Sequence, residues 1–578
     1  MPTASIGLRQ DERFLRKAFH KSLLPCMLSI LSNNVTILAD GILVGQRLGT
    51  DGLSAVSLCL PVYLALCVVG SFLTAGTAIQ ASRAIGRQQT EKTQQLYHTA
   101  VFSSLAAGLV VTLLGLALLQ PLAALLCQDQ AVRPLVATYA GVTLIGSLPK
   151  ILLYVPFWYL RMDGRAKMVA WMMAILGVGN ILLDLLFLYP LDMGIAGAAW
   201  ASVLATAAAC VLGFLCLCGK GSSFRLGRRV ITSRAGWREI ASAGSPSALN
   251  NLFDTLRQLT VNTLLLAAGG SQLVAAYTAV NCIYAFSLCV VDGVPQTASA
   301  MLGIYSGELD NDSSALLLRR EWRTGLLCCA LFALVILLSA DGIAFLYGLP
   351  LSLRPAMACL AIGMFPALVC TILSGYYNVS GHVRWSVAIL FCRVFLGAAL
   401  GLSLALALGW LPWTFLFLGE LMTLLLWFAA TGLYHKLRPG RTRFLLMDRR
   451  LEEEGQVLNF SVPGKEEDIC QASSQIADFC QENGMTPRQV MRFSLAIEEV
   501  LTMIAQKNPD GQVRFDLRAF AVPGSLGIRI RYDGIAYDPF APRGKKDEAY
   551  LGIDLIASMM STVFYQRTFG LNTVQLLL

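Results

Sequence analysis

The stretch GTDGLSAVSLCLPVYLALCVVGS, at residues 49–71, is a mostly apolar run that returns later in the chain. Its counterpart is GSQLVAAYTAVNCIYAFSLCVVDG at residues 270–293, an offset of about 221 residues, and both stretches contain LCVV. An apolar run of about 20 residues is long enough to cross a bilayer as a helix. A repeat of such runs predicts a membrane protein made of two similar halves.

The composition of the whole chain agrees with this prediction. Of its 578 residues, 56% are hydrophobic and 14% are charged, whereas soluble proteins average about 25% charged residues. The mean hydropathy is +0.61. These values exclude a disordered chain and a small disulfide-stabilised domain. They indicate an integral membrane protein with many spans.

The net charge of +9 is divided unevenly along the chain. Residues 1–455 carry a net charge of +11, and residues 456–578 carry a net charge of −2. A nucleic-acid-binding protein needs a basic face on its soluble part. Because the polar tail is mildly acidic, we predict no nucleic-acid partner.

The hydropathy of the chain predicts a polytopic α-helical membrane protein with twelve spans in two six-helix lobes. Both lobes then have the same orientation in the membrane, with a path for a substrate between them. The predicted spans are 20–46, 53–82, 97–127, 132–160, 168–189, 194–218, 237–268, 271–304, 323–348, 352–378, 384–408 and 411–436.

Six regions follow from these spans and from the changes in composition. They are an N-terminal arm (1–18), an N-lobe (19–218), a basic linker (219–236), a C-lobe (237–438), a charged linker (439–455) and a soluble tail domain (456–578).

The charges of the loops predict the orientation. The loops on one side hold 25 Lys and Arg residues, whereas the other side holds Arg47, Arg133 and Arg354. Basic residues are retained on the cytoplasmic side. We therefore expect a multi-pass protein of the plasma membrane with both termini in the cytoplasm.

Three polar residues interrupt the apolar spans of the first half. Asp40 lies in span 1, and Asn180 and Asp184 lie in span 5. Residues four apart share one face of a helix, and ionisable groups at membrane depth are costly and usually functional. The three residues could hold Na⁺ with oxygen ligands, or the two carboxylates could share a proton. The alternative is that each aspartate lies at a water-exposed helix end.

Four motifs resemble the multidrug and toxic compound extrusion (MATE) family. They are ADGILVGQRLGTDGLSAVSL (39–58), FLTAGTAIQASRAIGRQQ (72–89), LRMDGRAKMVAWMM (160–173) and NILLDLLFLYPLDMGIAGAAWASV (180–203). The resemblance covers about residues 15–438.

The resemblance implies a secondary antiporter of the bacterial inner membrane, driven by Na⁺ or H⁺, that exports organic cations, drugs or metabolites. It implies a monomer, an amphipathic small-molecule substrate and no cofactor other than the coupling ion. Asp40, Asn180 and Asp184 match the family's cation site, and this would be a metal site only if sodium drives transport. Asp254 resembles an acidic position that some family branches use in the second half. An ion pair with Arg257 at i+3 is the alternative for this residue.

For other charges within the spans, the sequence leaves alternative roles open. Lys150 in span 4 could offset Asp40 or Asp184, or it could extend its ammonium group towards water. Arg393 and Glu420 in spans 11 and 12 could pair and serve packing only. Asp292 in span 8 could lie in a cavity, but the sequence offers no partner for it.

The tail reads as a small cytoplasmic α/β domain. Its pattern predicts strands at 456–464, 512–521, 526–533, 562–569 and 573–578, and helices at 465–483, 486–506 and 551–560. Thr486 followed by Pro487 is typical of a helix start.

This order of elements resembles the ATP-binding (Bergerat, or GHKL) fold of anti-sigma-factor kinases and histidine kinases. Glu499, Gly534 and Gly552 match its nucleotide-binding positions, and Asp533 could substitute for the Asp that the family has two residues before the glycine. However, Met503 stands where the family has a magnesium-binding Asn, and Tyr532 stands where it has an Asp. A thioether cannot replace a hard oxygen ligand of Mg²⁺. We therefore expect a degenerate domain that has lost ATP and Mg²⁺ binding and kinase activity.

Two functions compete with export. The chain could be a membrane-bound signalling protein, with the transporter fold as receptor and the tail as output. It could also be a flippase for a lipid-linked precursor, which would need a large basic cavity. The tail could regulate transport, bind a cytoplasmic protein partner, or have no role.

Overall fold

The computed structural model describes residues 13–578 except 128, 131, 220–221, 228, 232, 347–351, 438–441, 455, 509–512, 523–524 and 542–550. Most of the predicted N-terminal arm and parts of both predicted linkers therefore lie outside the described residues. The chain divides into two compact units. One comprises Phe19–Tyr434, and the other comprises His435–Leu578 together with the residues before Phe19.

The first half of the unit Phe19–Tyr434 is helical. Its helices are α1 (Arg13–Gly86), α2 (Thr90–Ala117), α3 (Leu119–Leu126), α4 (Arg133–Ile145), α5 (Ser147–Met162), α6 (Ala166–Leu188) and α7 (Gly194–Cys218). Two predicted spans are interrupted in this half. Span 3 is divided between α2 and α3, and span 4 is a pair, α4 and α5, bent by 46°.

The second half repeats this pattern. Its helices are α8 (Arg234–Val291), α9 (Gly293–Gly307), α10 (Asn311–Leu346), α11 (Arg354–Val379), α12 (Val383–Leu390), α13 (Gly397–Ala407) and α14 (Phe415–Leu437). A π-helical segment, Phe391–Leu396, joins α12 to α13, and a 3₁₀ turn, Pro412–Thr414, precedes α14.

The long helices α1 and α8 break at equivalent positions. Gly49 has φ 68° and ψ −159°, and Gly270 has φ 69° and ψ −163°. Side chains rarely adopt a positive φ, so glycine is the residue that allows this turn. The two glycines are the first residues of the two repeated stretches. The repeat in the sequence therefore corresponds to the same backbone break in both halves.

Many of these helices can cross a membrane. Among the described residues, ten helices are long and apolar enough to span it, and counting the bent pair α4 and α5 as one span gives eleven. The part of α8 before Gly270 matches the seventh predicted span but is not among them. This part contains Asn250, Asn251, Asp254 and Arg257, which lower its hydropathy.

The second unit contains a mixed arrangement of strands and helices. Its elements are α15 (Arg450–Glu453), β1 (Val457–Pro463), α16 (Glu466–Glu482), α17 (Pro487–Lys507), β2 (Arg514–Val522), β3 (Ser525–Tyr532), α18 (Leu551–Met559), β4 (Thr562–Thr568) and β5 (Leu571–Leu577). Within the described part of the chain, the strands form one antiparallel sheet in the order β1-β2-β3-β5-β4.

Helices α16 and α17 pack against this sheet. Phe460, Phe493, Ile497, Phe515 and Ile530 are fully or almost fully buried in their common core. Helix α17 starts with a capping box, in which the Thr486 side chain accepts a hydrogen bond from the backbone N–H of Gln489 and the Gln489 side chain caps the Thr486 N–H. Such a cap satisfies backbone donors that a helix start otherwise leaves open.

Candidate functional site

Helices α1 and α6 run side by side, and their contacts keep a constant sequence offset. Ser32 Oγ donates to the carbonyl oxygen of Met173 at 3.0 Å. At the other end, Arg47 Nε donates to the carbonyl oxygen of Leu188 at 3.1 Å. Both contacts join residues 141 positions apart. The two helices are therefore parallel and in register over about four turns.

Gly177 lies at the closest approach of these helices. A Cβ atom at this position would be 2.7 Å from the Oγ of Ser32 and 2.7 Å from the Oγ1 of Thr36. The lack of a side chain thus allows α1 to pack against α6. Asp40 lies one turn beyond Thr36 on the same face of α1.

This packing brings Asp40 opposite Asn180 and Asp184. The carboxyl groups of Asp40 and Asp184 lie within hydrogen-bonding reach of each other. Asp184 is fully buried. Among the described residues, no hydrogen-bond donor contacts either carboxylate oxygen of Asp184 or the Oδ1 atom of Asp40. Two facing carboxylates without a donor between them require a proton or a cation.

Asn180 completes the group. Its Nδ2 donates to the Oγ of Ser202 in α7 at 3.1 Å, which leaves its amide oxygen as the atom able to ligate a cation. The phenol of Tyr139, on α4, lies within electrostatic reach of both carboxylates. Tyr139 was not predicted, because nothing in the sequence indicates which face of α4 approaches α1. The oxygen atoms here suit a shared proton or Na⁺, both of which prefer hard ligands.

The close approach at Gly177 leads to a prediction. Gly177→Ala places a methyl group against two hydroxyl groups, so α1 must move away from α6. We expect a stability loss of about 1–3 kcal/mol and a clear decrease in ion-driven transport. The matched control is Gly179→Ala on the same helix, where the nearest atom to a new Cβ is 3.8 Å away. Thermal unfolding and flux of the purified variants check this. Equal behaviour of the two variants would contradict the packing argument.

Lys150 does not pair with this carboxylate group. Its Nζ donates to the phenolic oxygen of Tyr63 at 2.7 Å and lies 4.3 Å from the centre of the same ring. The prediction that Lys150 offsets Asp40 or Asp184 is therefore wrong for this arrangement. Lys150 is on α5, and Tyr63 is on the part of α1 that follows the break at Gly49. The pair therefore depends on how these two helices pack, which the sequence does not show.

Asp254 forms the local ion pair that its spacing suggests. Arg257 Nη2 is 2.7 Å from Asp254 Oδ1, and Gln258 Nε2 donates to Asp254 Oδ2 at 2.8 Å. Arg257 is buried and also donates to the phenolic oxygen of Tyr277 at 3.0 Å. These contacts account for Asp254 within α8 without a bound ion.

Arg393 and Glu420 also pair, as predicted, with Nε 3.1 Å from Oε2. Both side chains are largely buried. Nη2 of Arg393 is buried and has no hydrogen-bond partner among the described residues.

A cavity of about 380 Å³ lies between the two halves of the unit Phe19–Tyr434. The first half contributes Asn33, Lys150 and Trp158 to its wall, and the second half contributes Asp292 and Arg393. The volume is within the range of small-molecule sites. Of the charged residues that interrupt the spans, Asp40 and Asp184 thus form a carboxylate pair inside the first half, whereas Lys150, Asp292 and Arg393 line this cavity.

Glycines allow the two halves to pack closely on the side where the connecting loops are rich in Lys and Arg. A Cβ on Gly76 would clash with the carbonyl oxygen of Ile240, and a Cβ on Gly244 would clash with that of Phe72. Gly86 and Gly307 form a similar crossing between α1 and α9. The helix backbones are therefore in direct contact at these crossings.

Side chains near the same end also connect the halves. Arg83 Nε donates to the carbonyl oxygen of Val379 at 2.8 Å. Arg161 Nη1 donates to Oε1 of Gln296 at 2.6 Å, and Gln296 lines the cavity. The cavity is therefore closed off on this side by contacts that join both halves.

In the second unit, two of the predicted nucleotide-binding residues, Glu499 and Gly552, are in contact. A Cβ on Gly552 would clash with Oε1 of Glu499, so α18 lies directly on α17 at this point. Asp533 Oδ1 accepts a hydrogen bond from the backbone N–H of Arg514 at 3.1 Å. Gly534 has φ 128°, and the side chain of Asn508 fills the space beside it.

The two substituted positions belong to the core of this unit. Met503 is 7% exposed and Tyr532 is fully buried. Burial raises the pKa of Tyr532 well above its usual value, so the phenol stays protonated, and it donates a hydrogen bond to the carbonyl oxygen of Tyr537. Both side chains therefore take part in the packing of this unit.

Known proteins share this architecture. A FAD transporter from Shewanella oneidensis is 27% identical over 42% of this chain and 54% of its own length. The multidrug export protein MepA from Staphylococcus haemolyticus is 24% identical over 46% of this chain and 59% of its own length. The chain thus spans little more than half the length of these curated relatives. A multidrug resistance MATE family transporter in an outward-facing conformation has the same fold, with a TM-score of 0.68 and 22% identity over 74% of this chain and 97% of that one.

The MatE family model matches residues 25–186 and 246–402. The two blocks begin 221 residues apart, as do Gly49 and Gly270, so each block covers one half of the repeat. Together they include more than half of the 578 residues, and the chain therefore belongs to the MatE family of membrane proteins.

Proposed function

We propose that the protein is a secondary antiporter that exports small organic compounds in exchange for Na⁺ or H⁺. The observation that carries this proposal is the pair of facing carboxylates, Asp40 and the fully buried Asp184, for which the described residues supply no donor between them. An ion that binds there in one conformation better than in another shifts the balance between the two. Two of the relatives are a FAD transporter and a multidrug export protein, which agrees with export of compounds.

The proposed route of the substrate is the cavity between the halves. Alternating access then requires the contacts of Arg83 and Arg161 to open when the cavity faces the other side. We propose twelve spans, with residues 234–269 of α8 as the seventh, so that both halves have the same orientation. The distribution of basic loop residues supports cytoplasmic termini and location in a bacterial inner membrane.

We propose that the tail is a degenerate GHKL-like domain with a regulatory role. The burial of Met503 and the engagement of Tyr532 by Tyr537 support the loss of ATP and Mg²⁺ binding. Equilibrium dialysis of the full-length protein with ATP and Mg²⁺ tests this. We expect no saturable binding, and stoichiometric binding of ATP would contradict it and favour the signalling alternative.

The coupling ion is tested in proteoliposomes. We expect vesicles that are acidic inside, or that contain Na⁺, to accumulate FAD or ethidium added outside, because the ion that leaves drives the substrate inwards. The expected excess over vesicles without a gradient is up to about tenfold for each tenfold gradient of the ion, because one-for-one exchange balances the two gradients. The gradient that supports accumulation identifies the ion. The absence of accumulation under both gradients would contradict the proposal.

A further inference from the structure

The wall of the cavity contributed by α5 carries one cation and a series of aromatic rings. Lys150, Tyr154, Phe157 and Trp158 all line the cavity. Their spacing of four, seven and eight residues places them along one face of a helix. The rings of Tyr154 and Phe157 meet edge to face at 6.4 Å, and those of Phe157 and Trp158 at 6.3 Å.

Among the residues that the structure describes, no carboxylate lies beside the charge of Lys150. The ionisable groups within electrostatic reach of its ammonium are Tyr63 and Cys67, and phenols and thiols are neutral at pH 7. Within the described part of the chain, Tyr63 is the one hydrogen-bond partner of the Lys150 ammonium group. An ammonium group has three donors, so two remain for a ligand. A buried cation without a counter-charge is unfavourable.

The opposite wall is different, because its cation is already compensated. Arg393 lies within reach of two carboxylates, Glu420 and Asp292. Asp292 in turn lies within reach of Arg393 and Asp254. The second half therefore adds no excess positive charge, because its two arginines, Arg257 and Arg393, face three carboxylates, Asp254, Asp292 and Glu420. Within the described part of the chain, Lys150 is the cation of the cavity wall that has no carboxylate within electrostatic reach.

We propose that the cavity binds aromatic organic anions, with the carboxylate, phosphate or sulfonate of the ligand on Lys150 and its ring against Tyr154 and Trp158. This inference rests on the proposed function only in taking the cavity as the transport site. It narrows the proposed substrates from small organic compounds to molecules that combine a ring with a negative charge, and it replaces the expectation of organic cations. A charge-assisted hydrogen bond in a water-poor site supplies the selectivity, and the rings supply apolar contact.

The test uses two dyes that share a xanthene ring and differ in charge. Fluorescein is an anion at pH 7.4, and the methyl ester of rhodamine is a cation. Binding of each dye to the full-length protein in nanodiscs is measured by fluorescence polarisation, without an ion gradient. We expect fluorescein to bind more tightly than the rhodamine ester. Equal or tighter binding of the rhodamine ester would overturn the proposal, and this comparison requires no variant.

Variants then locate the charge contact. We expect Lys150→Gln to weaken fluorescein binding about tenfold and to leave the rhodamine ester unchanged, whereas Lys150→Arg retains the preference for the anion. Tyr154→Ala should weaken both dyes alike. Unchanged fluorescein affinity in a folded Lys150→Gln variant would overturn the proposal. Dihexanoyl phosphatidate, a lipid phosphate without a ring, should not displace the dye, and displacement would assign the site to lipid phosphate instead.

The outcome is separable from that of the flux experiment. Anion-selective binding without ion-driven accumulation would contradict the proposed antiport and leave this inference in place. Ion-driven accumulation of the rhodamine ester in preference to fluorescein would support antiport and overturn this inference.

Discussion

Replacing Asp40 or Asp184 with asparagine is expected to abolish ion-driven transport while the protein still folds. Asparagine has nearly the same size as aspartate but cannot take up a proton or contribute a full negative charge to a cation. Each replacement leaves one carboxylate facing an amide, which can donate a hydrogen bond to it. The buried site is then satisfied without an ion, so the ion no longer distinguishes the two conformations.

The measurement is accumulation in proteoliposomes under the gradient that drives the unaltered protein. For each replacement, we expect accumulation to fall to the level of vesicles without a gradient. Thermal stability should be equal or higher, because removing a buried charge removes a desolvation cost. The matched control is Asp341→Asn, because Asp341 is exposed and pairs with Arg354 at a helix end. Undiminished accumulation by both Asp40→Asn and Asp184→Asn would refute the carboxylate mechanism.

Gly244→Ala is expected to reduce transport strongly, because it keeps the two halves apart where α8 crosses α1 near the basic loops. The new methyl group clashes with the backbone carbonyl of Phe72, which cannot rotate away as a side chain can. Overpacking of this kind costs about 1–3 kcal/mol. That cost applies only where the helices touch, so it disfavours the conformation in which the two halves are in contact. It lowers the ratio of this conformation to the open one by about five- to 150-fold.

Hydrogen–deuterium exchange in nanodiscs distinguishes this effect from general unfolding. We expect faster exchange in the segment 72–86 of α1 and the segment 240–246 of α8, with little change in α6. The matched control is Gly342→Ala, because no atom lies within 4 Å of a Cβ at that position. If Gly244→Ala transports at the normal rate and its exchange is unchanged, the closure at this crossing has no part in transport.

Much of the secondary structure was predictable because helices and strands follow from local patterns. The predicted helix at 486–506 is α17, Pro487–Lys507, and Thr486 caps it as its position suggested. The predicted strands at 526–533 and 562–569 correspond to β3 and β4. In contrast, the break of span 4 at Gly146 was not predicted, because α4 and α5 together have the length and hydropathy of one continuous span.

Side-chain pairs within one helix were predictable for the same reason. The pair of Asp254 with Arg257 follows from a spacing of three residues. The placement of Asn180 and Asp184 on one face follows from a spacing of four residues. Helical geometry fixes such neighbours whatever surrounds the helix.

The sequence by itself determined the repeated halves, the apolar helices and the rare charges among them. Only the tertiary structure decided which of these charges meet. Asp40 faces Asp184 because Gly177 lets α1 and α6 pack in parallel at an offset of 141 residues. Lys150 contacts Tyr63 because α5 packs on the part of α1 that follows Gly49. The physical reason is that spacing along a helix fixes which residues share a face. The neighbour that each face meets depends on the packing of all the helices together.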